Sequence, residues 1–327
     1  MAVFYLNTDG NGRGQLGGGG SYSLMRFANE VAHDIDDPET HTPVWQRMRA
    51  FRIVGGDLES RGRSELTIGA LGSGSDFTPF LQHAGVPTLN IGFGGEDGGG
   101  IYHSIYDDFY WYTHFSDTAF VYGRALAQTA GIMMMRMASA DVLPQEFGNL
   151  SETVGGYVTE LKALRESTAK SIENVRRSIA EGVYAAASDP RRPELGPHPD
   201  SLAPFLNFAP LDNASAALKD AAARFEKAYP NAMAVPENAA AVAQLNALLR
   251  QTDQALLLPG GLPRRPWYEH SLYAPGFYTG YGVKTMPGPR EAIEQGYWPE
   301  ADREIGRIAE RLNAVVKLID QAREKLS

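Results

Sequence analysis

The hydrophobic pattern of the chain changes character near Pro144. Ahead of it, short apolar runs alternate with turn residues. Ala2 to Leu6 is β-prone and runs into Asn7-Thr8-Asp9-Gly10-Asn11-Gly12, a buried strand followed by a loop. Leu24, Phe27, Ala28, Val31 and Ile35 recur at three- and four-residue steps, which predicts an amphipathic helix over 21–35 that ends at Asp36-Asp37-Pro38. Leu66 to Leu71 reads as a strand, Gly72 to Asp76 as a loop, Phe77 to His83 as a short helix and Val86 to Phe93 as a second strand. That order is the signature of a βαβ unit. The glycine-rich segment Gly94 to Gly100 leads to Ile101-Tyr102-His103-Ser104, and an apolar helix is predicted from Ser116 to Ala140.

Beyond Pro144, Val154, Val158, Leu161, Thr168, Ile172, Val175 and Ile179 lie at helical steps with charged residues between them. Further helices are predicted over 213–229, 237–249 and 302–326. The last carries Ile305, Ile308, Leu312, Val315 and Ile319 in alternating steps of three and four. Such a set packs as an antiparallel bundle. The segments 188–204 and 258–289 read as long irregular connections. The fold class expected is therefore α/β, a partial sheet with flanking helices over 1–145, followed by an all-α bundle over 146–327.

Composition narrows the functions. The 327 residues carry 39 acidic and 30 basic side chains, a net charge of −9, and a field of that sign disfavours nucleic acid as the main partner. With no cysteine, disulfides, thiolate catalysis and Cys-ligated zinc are excluded, so a metal would have to be held by His, Asp or Glu. Apolar stretches are broken well before ~18 residues, and no membrane span is predicted. The N-terminus has no basic segment ahead of an apolar one and enters directly into a strand, so a preceding portion of the domain is expected. Compartment is left open.

Asp9 falls just past a predicted strand and His103 follows the flexible loop after a later one, both beyond strand ends where ligands collect in open α/β sheets, and such a pair suits zinc held by oxygen and nitrogen. Taken singly, an Asp-Gly is ordinary turn chemistry and a loop histidine an ordinary surface residue. Gly72-Ser73-Gly74-Ser75-Asp76 could bring backbone N–H groups to an anion; the preferred local reading is a tight turn with Ser75 or Asp76 capping the next helix. Gly10 to Gly20 fits no nucleotide fingerprint and reads as a mobile loop. No Gly-x-Ser-x-Gly joins a strand to a helix. His33, His41, His83, His114, His198 and His270 are read as ordinary surface or core residues, and Met133-Met134-Met135 with Met137 as core filler.

In order along the chain, Leu71-Gly72-Ser73-Gly74-Ser75-Asp76-Phe77, Tyr102-His103-Ser104-Ile105-Tyr106-Asp107, Leu143-Pro144, Tyr273-Ala274-Pro275 and Tyr281 resemble the zinc-peptidase family of glutamate carboxypeptidase and the transferrin receptor. The resemblance covers nearly the whole chain and implies metal-assisted peptide hydrolysis at a pair of zinc ions. It implies that Asp9 and His103 are metal ligands and that Tyr102 donates a hydrogen bond to the developing oxyanion. Ser73, Gly74 and Ser75 would line the substrate cleft, and Tyr281 would grip the substrate's terminal carboxylate. It further implies a homodimer formed through the helical part. The family's His-x-Asp pair and Glu-Glu pair, which supply the other ligands and the general base, have no counterpart here. The expectation is a C-terminal peptidase segment, inactive alone, whose missing N-terminal portion comes from a longer product or a partner. Asn90, Gly92 and Gly280 stand where the acidic-dipeptide enzyme has basic residues, so neutral or apolar peptides are the better expected substrates. The alternative expectation is a non-catalytic dimerisation or interaction protein with a peptidase-derived fold. In either case the isolated chain is expected to self-associate, through the bundle or through an open sheet edge.

Overall fold

The computed structural model describes residues 2–192, 194–233 and 239–326. A three-stranded sheet lies at the start of the chain: β1 (Tyr5–Asn7), β2 (Gly14–Gly20) and β3 (Thr88–Gly95), in the order β1-β3-β2. β3 is central, parallel to β1 with Asn7 opposite Asn90, and antiparallel to β2 with Gly17 opposite Gly92. Leu89, Ile91 and Phe93 point to the core while Asn90, Gly92 and Gly94 occupy the other face, as the two-residue period of a strand requires.

Two features depart from the sequence expectation. The glycine-dense segment expected to be a mobile loop is β2. Glycine has poor intrinsic strand propensity, yet its backbone pairs along all of β2, and Gly14 and Gly20 sit at φ +140° and +147°, conformations that L side chains rarely adopt. The strand expected over 66–71 is reduced to a single bridge between Gly69 and Gly19. The expected strand-helix-strand survives in part: 77–83 is helical as expected, with a wide π-type turn at Pro79–His83, but the parallel partner of β3 is β1.

Packed around the sheet are α1 (Met25–Asp34), which follows a 3-10 turn at Tyr22–Leu24, α2 (Val44–Val54), α3 (Phe109–Phe115) and α4 (Val121–Ser139). α2 and α3 lack a clean apolar stripe and were not predicted. Asp108 caps α3 by accepting the Trp111 N–H at 2.8 Å, and α3 buries none of its seven residues.

The rest is mainly helical, as expected: α5 (Gly148–Ala180), α6 (Val183–Ala187), α7 (Ala209–Met233), α8 (Ala239–Leu249), α9 (Thr252–Ala255), α10 (Pro287–Glu294) and α11 (Trp298–Glu324). The start predicted for α8, residues 237 and 238, lies outside the described residues. Within the long irregular segment a small hairpin appears, β4 (Tyr273–Pro275) against β5 (Val283–Thr285). α11 begins with Pro299 and Glu300 in its first turn and closes with Arg323 in its last, each suited to the helix dipole. Its buried stripe from Ala301 through Ile305, Ile308, Leu312, Val315 and Ile319 meets Leu211, Ala214, Leu218, Ala221, Ala222 and Phe225 of α7. The small alanines let the two backbones approach. One hydrophobic cluster runs from Leu16 through α1 and α5 to Leu326, so the sheet and the helices share a core.

Candidate functional site

The site forms at the carboxyl end of β1, beside the first half of β3. Asn7, the last residue of β1, stands opposite Asn90, and both side chains fall on the face of the sheet away from the core. Asp9 lies two residues on, past the strand end. The Asn7 amide is almost wholly buried and its Nδ2 reaches three oxygens: Asp9 Oδ1 at 2.9 Å, Ser75 Oγ at 2.9 Å and Asn90 Oδ1 at 3.1 Å. An amide carries two hydrogens, so one of them is shared between acceptors. Ser75 Oγ also donates to Asp9 Oδ1, and Asn90 Nδ2 donates to Asp9 Oδ2 at 3.2 Å. Both carboxylate oxygens of Asp9 are thus held by neutral donors. Ser75 spends its hydroxyl on Asp9, which corrects the reading of Ser75 as a helix cap.

Tyr5 supports this cluster from the strand. Its hydroxyl donates to Asn7 Oδ1 at 3.3 Å, and its ring stacks on Phe80 with centroids 4.0 Å apart. Burial, then the charges of Asp76 and Asp9, push the Tyr5 pKa up, so the phenol keeps its proton as donor.

The loop carrying Ser73, Gly74 and Ser75 is pinned from both sides. Gln82, fully buried, donates through Nε2 to the carbonyls of Leu71 and Gly72, each at 2.9 Å. On the outer side Tyr281, in the turn between β4 and β5, accepts the Ser73 N–H at 3.2 Å and lays its ring over Gly74. A Cβ on Gly74 would stand 2.6 Å from that ring, and Gly74 has φ +99°. Gly74→Ala is therefore expected to cost about 1–3 kcal/mol and displace Tyr281. Gly10→Ala, with open space around it, stays within about 0.5 kcal/mol. Urea titration of the two variants checks the contrast.

Asp9, Ser73, Gly74, Ser75 and Tyr281 accordingly form one continuous surface. Beside it runs an open groove of about 320 Å³ lined by Asp9, Asn90, Gly92, Gly19, Gly69 and Leu71 among others. Tyr102 and His103 do not join this hydrogen-bonded set. They lie on a turn closed by Ser104 N–H to Ile101 C=O, with His103 at φ +60° and the two rings stacked 3.8 Å apart. Tyr102 is largely exposed, and no hydrogen bond links either residue to Asp9.

Among the described residues no group of three or more His, Asp or Glu side chains is placed to hold a metal ion. With Asp9 already satisfied by Asn7, Ser75 and Asn90, the donors of this chain do not by themselves fit a pair of zinc ions. Asn7 was missed as a site residue, and Asn90 was marked only by the resemblance, as a substrate-side position. Asn7 precedes Asp9 by two, but nothing local in the sequence reports the strand register that sets it against Asn90.

A family model of the transferrin receptor-like dimerisation domain matches residues 206–320, the span from just before α7 into α11. The chain is 30% identical over 245 residues to the "Probable glutamate carboxypeptidase LAMP1" of Arabidopsis thaliana, covering 73% of this chain and 30% of that protein. It is 27% identical over 260 residues to a "Probable glutamate carboxypeptidase" of Arthroderma benhamiae, covering 79% and 31%. To the "Aminopeptidase NAALADL1" of Rattus norvegicus it is 24% identical over 254 residues, covering 73% and 29%. The chain thus spans about 30% of the length of these curated relatives. No helix among the described residues is long and apolar enough to cross a membrane. With the dimerisation region on α7 to α11 and the likeness to peptidases running through most of the chain, this protein belongs to the glutamate carboxypeptidase and transferrin receptor-like family.

Proposed function

We propose that this chain is the substrate-side and dimerisation part of a glutamate carboxypeptidase-like zinc exopeptidase, residues 1–145 contributing to the peptidase unit and 146–327 forming the dimerising helices. The carrying observation is the joined surface of Asp9, Ser75, Ser73, Gly74 and Tyr281 at the carboxyl end of β1, a strand end of the kind where open sheets bind ligands. On this reading Tyr281 and the loop of Ser73 to Ser75 orient a peptide. Asp9 and His103 act as donors to zinc, and Tyr102 as donor to the oxyanion, when another polypeptide segment supplies the remaining ligands and the general base. That segment would cover the exposed Ile105, Tyr106, Phe109, Tyr110 and Phe115, a concentration of apolar surface of the kind that marks an interaction site.

The chain alone is expected to show no peptidase turnover with zinc present. Neutral and acidic dipeptides form the assay panel, with sedimentation measured in parallel. Turnover by the isolated chain that is lost in Asp9→Asn would overturn the requirement for a second segment. A folded, fully metallated complex with the upstream part of a relative that still cleaves nothing would sink the enzymatic reading. It would favour a non-catalytic dimerisation protein, to which the fully hydrogen-bonded Asp9 carboxylate also conforms. The dimer is tested separately: a homodimer is expected at micromolar concentration, and a clean monomer contradicts it.

A further inference from the structure

Four elements meet at one guanidinium away from the site just described. Arg26 of α1 faces Glu65 from the segment after α2, with Nε to Oε1 at 2.8 Å. It also faces Glu226 of α7, with Nη2 to Oε1 at 3.2 Å, and Glu146 from the lead into α5, with Nη2 to Oε2 at 3.8 Å. When all three acids are ionised, this cluster carries two negative charges in excess. Asn149 bridges two of them, its Nδ2 donating to Glu65 and, at 2.7 Å, to Glu146 Oε1. Its backbone N–H donates to Glu146 Oε2 at 3.1 Å. Glu146 and Glu226 face each other across Gly148, where a Cβ would meet the Glu226 carboxylate and come within 3.4 Å of Glu146 Oε2.

Glu146 is the most confined of the three, only 4% exposed. Its backbone N–H is tied to the Ser23 carbonyl at 2.9 Å, and the next residue, Phe147, is fully buried against Phe225. Tyr229 of α7 also lies near, within reach of the charges of Arg26 and of Glu30 in α1. Arg63 is engaged by Glu152. The cluster therefore joins the α/β part to the helical part through three carboxylates gathered on one guanidinium.

We infer that Glu65, Glu146 and Glu226 around Arg26 form a proton-operated latch: a proton held in the cluster keeps the seam between the sheet region and the helices closed, and its release loosens that seam.

Burial pushes the Glu146 carboxyl up to about 7, opposed by the Asn149 hydrogen bonds and Arg26 and reinforced by the charge of Glu65. The folded state then binds more protons than the opened one between the ordinary carboxyl range and about 7. The latch's contribution is complete below the ordinary range, declines as pH rises through that window, and is gone above the folded value.

Hydrogen exchange on the full chain, corrected for intrinsic rates, tests this. Protection of the first turn of α5 and of the turn around Arg26 should fall roughly tenfold between pH 6 and 8, with the decline levelling off near the top of that range. Glu146→Gln, which mimics the protonated acid, should abolish the decline. Glu65→Gln, which removes a repelling charge, should move the levelling point to lower pH. Protection that stays constant or rises with pH overturns the latch, as does a wild-type profile in Glu146→Gln. Should Glu146→Gln fail to fold, an unshifted profile in Glu65→Gln overturns it equally.

Discussion

Replacing Phe225 with alanine is expected to cost about 3–5 kcal/mol, a large fraction of the stability of an ordinary folded protein. Phe225 lies on the buried stripe of α7 and is 1% exposed. Its ring meets Phe147 edge to face with centroids 4.9 Å apart, and Tyr229 packs on it at 5.5 Å. Phe147 is itself fully buried at the lead into α5, so truncation opens a cavity where α5 and α7 meet. Alanine is the best helix former, so the loss reports packing and not local propensity. Phe225→Leu refills part of the volume and should recover much of the loss. Chemical denaturation of both variants checks the order, and a loss under about 1 kcal/mol for Phe225→Ala would contradict this placement of the core.

How much of this was legible in the sequence depended on whether the determining interaction was local. The stripe from Ile305 to Ile319 in α11 is a one-dimensional pattern, and the structure buries the residues that pattern selects. β2 is the opposite case: Gly17, Gly18, Gly19 and Gly20 offer no alternation to read, and only pairing with β3, some 70 positions away, makes them a strand. α3 was missed because none of its residues is fully buried and its aromatic run forms no apolar stripe. In the site, the closeness of Ser75 to Asp9, and of Tyr281 to Gly74, followed from a family resemblance. The sequence alone records no contact between segments some 200 residues apart. Asn7 carried no motif, and Asn90 was marked only by the resemblance, for substrate preference and not for holding Asp9. They matter through register, which local sequence does not specify when strands are this short.

The second large effect is expected at Arg47, which fastens the segment after α1 to α2, α4 and the end of β3. Its Nη1 pairs with Asp37 Oδ2 at 2.6 Å and donates to the Tyr122 hydroxyl at 2.7 Å, while Nη2 reaches Glu96. Tyr122 in turn donates to Glu39 Oε2 at 2.9 Å. Asp37 is completely buried, and its other oxygen accepts the N–H groups of Glu39 and Thr40 at 3.1 and 2.9 Å. Arg47→Met leaves that carboxylate without its cation and should cost about 3–5 kcal/mol at neutral pH. Burial alone would raise the Asp37 pKa, but Arg47 and the two N–H groups overcome it and hold the carboxyl below its ordinary value. In the parent protein the contribution is therefore present above the ordinary carboxyl pKa and lost as pH falls through the lowered folded value. In Arg47→Met the opposing guanidinium is gone, so burial raises the Asp37 pKa and the variant's deficit relative to the parent should shrink as pH falls and the stranded carboxylate takes up a proton. Adding Asp37→Asn removes the stranded charge and keeps an acceptor for the Glu39 and Thr40 N–H groups, so the double variant should be more stable than Arg47→Met at pH 7. Urea midpoints at neutral and mildly acidic pH decide the matter: if the double variant is no more stable than the single one, the penalty does not come from an unpaired buried carboxylate.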